Sequence, residues 1–137
     1  MVEKILVGID GSERSMNALR YAVAEAKDKG LEKVTVVNSI QEPEPDSDKV
    51  KEREDVLKDA ESVGDSDVEI DTHLLVKGNA PDVDIVKFAE ENDFNHIIVG
   101  DIGASGIARV VLGSVAEGVI RKAHCTVTLV KEVSPDI

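Results

Sequence analysis

The chain has 137 residues and a formal net charge of -12, from 28 acidic and 16 basic side chains, a balance that repels nucleic-acid backbones and anionic lipid unless charge is strongly segregated. Aromatic residues make up 2% and tryptophan is absent, so the stacking platforms that hold single-stranded nucleic acid are nearly missing and the core must consist of Val, Ile, Leu and Ala. The single cysteine, Cys125, excludes an intrachain disulfide and fits a reducing cytoplasm, and with no apolar leader or membrane-length run we expect neither signal peptide nor membrane helix.

The length predicts one domain over 1–137. Lys4-Ile5-Leu6-Val7-Gly8-Ile9 is a nearly continuous apolar run, as in a strand buried on both faces of a parallel sheet. It stops at the turn cluster Asp10-Gly11-Ser12. Met16, Leu19, Ala22, Val23 and Ala26 recur at helical steps, with Ser12 as N-cap and Gly30 as stop. Lys33 to Asn38 is a β-branched second strand, and Gln41 to Asp46, with its two prolines, reads as a loop. A charged helix with a thin apolar stripe, Val50, Leu57 and Ala60, is expected from about Asp48 to Val63. Val68 to Val76 is the third strand, Pro81 to about Asn92 a helix started by proline, and Asn95 to Val99 the fourth strand. A glycine-rich stretch then leads to a helix from Ser114 to about Ala123 and a fifth strand, Thr126 to Val130. Cys125, at the start of that strand, reads as a core thiol.

Alternation of strands and helices predicts an α/β fold: one open, doubly wound five-stranded parallel sheet with helices on both faces. Such sheets bind ligands at the carboxyl ends of their strands, where the winding reverses. Asp10 and Gly100, which end the first and fourth strands, therefore flank one expected crevice.

The chemistry concentrates in Gly100-x2-Gly103-x9-Gly113-Ser114. This is neither a Gly-x-x-x-x-Gly-Lys-Ser/Thr loop, because no Lys precedes Ser114, nor a Gly-x-Gly-x-x-Gly loop, because Gly100 and Gly103 are three apart. Strand, glycine-rich loop and helix start nonetheless occur in the order that lets backbone amides hold phosphate. Gly100 leaves the crevice free of a Cβ, Gly103 can take positive φ, and Gly113 lets an oxygen approach the backbone. Ser114 either caps the helix, with Glu117 completing a capping box, or donates to phosphate. On spacing alone, a phosphate cradle and plain turn-and-cap chemistry both remain open.

These residues, together with Asp10-Gly11-Ser12 and the run from Leu112 to Ala123 followed by Cys125 to Val130, resemble the universal stress protein family, and specifically its ATP-binding branch. The resemblance implies strand order 3-2-1-4-5 and a homodimer paired along the last strand, Thr126 to Lys131. It implies that Asp10 contacts ribose or a phosphate-bound metal such as Mg or Mn. Gly100, Gly103, Gly113 and Ser114 would hold ribose and phosphates, and Asn38 and Ser39 would meet adenine mostly through backbone. Two positions depart from the family pattern: Asp101, where a small hydroxyl residue is common, and Ala104, where a basic or polar residue is common. A carboxylate beside a phosphate loop is repulsive unless it faces away or shares a cation. Within the loop Arg109 is the sole cation. The expected function is a cytoplasmic, dimeric, ATP (adenine nucleotide)-binding stress-response protein acting as a binder or switch. No catalytic residue is assigned, because no nucleophile–base signature appears. The alternatives are a slow metal-dependent ATPase using Asp10, with Asp101 as a second carboxylate, and a nucleotide-free protein-interaction dimer.

Overall fold

The computed structural model describes residues 2–101 and 112–131. Five strands, β1 (Ile5–Gly8), β2 (Lys33–Ile40), β3 (Glu69–Val76), β4 (His96–Gly100) and β5 (Thr126–Val130), alternate with α1 (Glu13–Asp28), α2 (Ser47–Glu61), α3 (Pro81–Glu91) and α4 (Ser114–Lys122). The strands form one sheet in the order β3-β2-β1-β4-β5. Every pairing is parallel. This is the expected fold and strand order.

Central β1 is buried along its whole length, which is why it reads as a continuous apolar run rather than an alternating one. Its residues divide by parity between two cores. Ile5 and Val7 join Val34, Val36 and Ile98 under Leu19, Ala22, Val23 and Ala26 of α1 and Leu57 and Ala60 of α2. Leu6 joins Val37, Ile97 and Val99 under Ile85, Val86 and Ala89 of α3 and Ala116 and Val119 of α4. Because α1 and α4 cover opposite faces, the chain leaves the neighbouring strands β1 and β4 in opposite directions, and a crevice opens over their carboxyl ends.

Local signals set the helix bounds. Gly11 has φ 88°, and Ser12 caps α1 by accepting the Ser15 amide at 3.2 Å. Gly30, with φ 71°, follows the end of α1. Asp46 caps α2 through the Lys49 amide at 2.8 Å, so α2 begins at Ser47, slightly before the expected start. Only Leu57 and Ala60 of α2 are buried, in keeping with its thin apolar stripe. Cys125 lies just before β5, half-buried against the α3–α4 core, and burial pushes its thiol pKa up, which keeps it protonated and unreactive. No described helix is long and apolar enough to cross a membrane.

Helices α3 and α4 touch closely at Gly118. A Cβ there would collide with the carboxylate of Asp82, which accepts a 2.6 Å hydrogen bond from Lys122 Nζ. We expect Gly118→Val to overpack this contact and lower stability by about 1–3 kcal/mol, read as a shift in the urea midpoint. An unchanged midpoint would contradict the close approach.

Candidate functional site

The first lip of the crevice is the turn after β1. Asp10 Oδ1 accepts the Ser12 amide at 2.9 Å, and the Asp10 amide donates to Ser15 Oγ at 3.2 Å. One carboxylate oxygen thus performs the structural task open to an Asp in such a turn. Ile9 continues the sheet, its amide donating to Val37 O at 3.0 Å.

The second lip is the end of β4. A Cβ on Gly100 would lie 3.1 Å from the Arg14 carbonyl oxygen. Glycine at this position therefore lets β4 pack against the first turn of α1, a structural need that spacing alone does not reveal. Asp101 follows, 5% exposed. Its carboxylate accepts a 2.7 Å hydrogen bond from Arg14 Nη1. Its amide donates to Val130 O at 3.2 Å, and its carbonyl accepts the Gly113 amide at 2.8 Å. The glycine-rich stretch is therefore closed at its neck, and an ion pair bridges the two lips. Arg14 was not singled out in the sequence. The nearest signal is that a carboxylate in this position demands a cation. Gly103, Ala104 and Arg109 lie outside the described residues.

The capping assignment is corrected. Gly113, not Ser114, is the N-cap of α4, and no side-chain cap bond forms. Ser114 is the first helical residue and is exposed. The capping box is consequently absent, and Glu117 instead accepts Arg121 Nη2 at 2.9 Å. Gly113 φ is -66°, so its backbone needs no glycine. Its amide is spent on Asp101, while the Glu117 amide returns to Gly113 O at 3.0 Å. The amides of Ser114, Val115 and Ala116 have no intrahelical acceptor. They sit at the positive end of the α4 dipole, the arrangement that suits an anion.

At the end of β2, Asn38 and Ser39 are both buried, with side chains committed to the fold. Asn38 Nδ2 donates to Ile9 O at 2.8 Å, and Arg53 Nη1 donates to Asn38 Oδ1 at 3.3 Å. Ser39 Oγ donates to Asp84 Oδ2 at 2.7 Å, and Asn79 Nδ2 donates to Asp84 Oδ1 at 3.1 Å. Only the backbone of this segment remains for a ligand, as the sequence reading allowed. Asp84 also lines a cavity of about 210 Å³ with Leu75, Lys77 and Phe88. None of the sequence-predicted residues lines it. Among the described residues, no three His, Cys, Asp or Glu side chains are placed to hold a metal ion. The crevice thus brings together Asp10, Gly100, Gly113 and Ser114 at one end of the sheet, while the Ser39 hydroxyl turns toward α3. Ser39→Ala removes one of two donors to a buried carboxylate. The expected cost is about 1–3 kcal/mol in the unfolding midpoint; a neutral effect would mean that Asp84 does not depend on Ser39.

Residues 1–131 match the model of the universal stress protein family. A universal stress protein of Methanocaldococcus jannaschii is 33% identical, over 96% of this chain and 84% of that one. A universal stress protein structure from Archaeoglobus fulgidus aligns with TM-score 0.78 and 33% identity, covering 94% of this chain and 93% of that one. Another from the same organism, in complex with dAMP, aligns with TM-score 0.76 and 34% identity, covering 93% and 97%. With a match along nearly the whole chain and a fold shared with solved members, this protein belongs to the universal stress protein family.

Proposed function

We propose that this chain is an adenine-nucleotide-binding stress-response protein of the cytoplasm, taking ATP among its ligands and working as a dimeric binder or switch. The observation that carries the reading is the α4 N-terminus, pinned to the end of β4 by the Gly113–Asp101 bond. Phosphate would sit on the amides of Ser114, Val115 and Ala116, where the dipole and unpaired N–H groups act together. Ribose would lie between Asp10 and Gly100, and adenine against the backbone at Asn38 and Ser39. Gly103 would complete the phosphate loop. A Mg or Mn ion carried by the phosphates would find a carboxylate in Asp10. The dAMP complex of the Archaeoglobus fulgidus relative supports an adenine nucleotide as the ligand class.

The dimer would form through the free edge of β5, whose residues Val127 to Val130 are only half-buried within one chain. Lys131, assigned to that edge from sequence, falls just beyond the strand.

Gly113→Val tests the site. The backbone there tolerates a side chain, so we expect the fold to survive while affinity for ATP and AMP in calorimetric titration falls more than tenfold; unchanged affinity would remove α4 from the site. For the dimer, Leu129→Lys should sediment as a monomer with an unaltered circular dichroism spectrum, and a persisting dimer would place the interface elsewhere.

A further inference from the structure

Three carboxylates are buried among the described residues: Asp82, Asp84 and Asp101. A buried charge needs a counter-charge as well as hydrogen bonds. Asp82 has Lys122 at 2.6 Å and Asp101 has Arg14 at 2.7 Å. Asp84, the most buried of the three at 3% exposure, has neutral donors only, the Ser39 hydroxyl and the Asn79 amide. No cation among the described residues pairs with it. Its place in the first turn of α3 gives it a share in the helix dipole, roughly half a charge, which falls short of an ion pair. A carboxylate offers about four acceptor positions, and the two donors leave the rest open.

Asp84 lines a cavity of about 210 Å³, the space of about seven waters, which suits a ligand of amino-acid size and is too small for a nucleotide. Leu75 and half-buried Phe88 give it apolar walls, and ring contacts to His73 and Phe94, at 5.2 and 5.8 Å between centroids, hold Phe88 in place. Lys77 and Lys87 stand exposed at the rim, neither in an ion pair among the described residues. Glu91 follows Lys87 by one turn of α3 without pairing with it, in the weaker of the two i,i+4 orientations. From this we infer that the cavity is a binding site for a free α-amino acid with an aliphatic side chain, separate from the nucleotide crevice and independent of it. The ammonium takes the open acceptor positions of Asp84, the carboxylate meets Lys77 and Lys87, and the side chain lies on Leu75 and Phe88. A simple cation would face the two lysines, and a simple anion would face Asp84 and Glu91. A ligand that carries both charges matches both sets.

Amide NMR of the full chain titrated with L-leucine tests the site. The expected result is saturable shifts at Lys77, Asn79, Lys87 and Glu91. Isocaproate, which lacks the ammonium, and isoamylamine, which lacks the carboxylate, should each bind about tenfold more weakly, the worth of one charge-assisted contact. This ligand series needs no variant to fold. The double variant Lys77→Gln, Lys87→Gln changes two exposed side chains, so its thermal midpoint should stay in place while its affinity for leucine falls by about tenfold or more. No saturable shift at millimolar leucine, shifts confined to the crevice at Asp10 and Gly100, an analogue that binds as tightly as leucine, or unchanged leucine affinity in the double variant would each overturn the site. None of these outcomes touches the affinity for AMP or ATP, so the nucleotide reading stands or falls separately.

Discussion

Three parts of the chain meet on one residue. Asp101 donates its amide to Val130 on the edge strand, accepts the Gly113 amide at the start of α4 through its carbonyl, and accepts Arg14 from α1 on its carboxylate. Remove the carbonyl bond and α4 loses its anchor to the end of β4. Remove the carboxylate bond and the two lips of the crevice lose their ion pair. These hydrogen bonds are individually worth little in water, about 1 kcal/mol each. They matter because all three lie where the sheet reverses its winding.

The cores explain why so much of the architecture was legible. A sheet covered on both faces needs apolar residues at every central position, so β1 and β4 announce themselves as unbroken runs. At the edge, β3 is half open to solvent, and its first residues alternate accordingly. The start of α1 was equally readable, since Ser12 caps it with a side chain three residues from the amide it binds, whereas Asp46, read as loop, caps α2. Ser39 shares a face with Val37, which packs under α3 and α4, and its hydroxyl accordingly meets Asp84.

What the sequence concealed depends on distant partners. Ser114 has every local mark of an N-cap, yet Gly113 holds that position because its amide is drawn to the Asp101 carbonyl, a bond that no capping pattern encodes. Gly100 reads from spacing as a glycine that clears a crevice, and the Arg14 backbone, standing where its Cβ would be, is a second reason for glycine that spacing does not show. Asp101 looked like a hazard to phosphate because its cation lies 87 residues earlier. Helical periodicity reports which face of α1 is apolar, and it carries no information on where a long polar side chain at the first turn will reach.

Overall charge and local charge then act on different scales. A chain at -12 surrounds any anionic ligand with a repulsive background, but that background fades beyond a Debye length of about 8–10 Å at physiological salt. Within that radius individual charges count, and among the described residues Asp101 meets its counter-charge in Arg14. Burial decides their weight. Asp101, which ties the end of β4 to the start of α4, carries its charge already paired with Arg14.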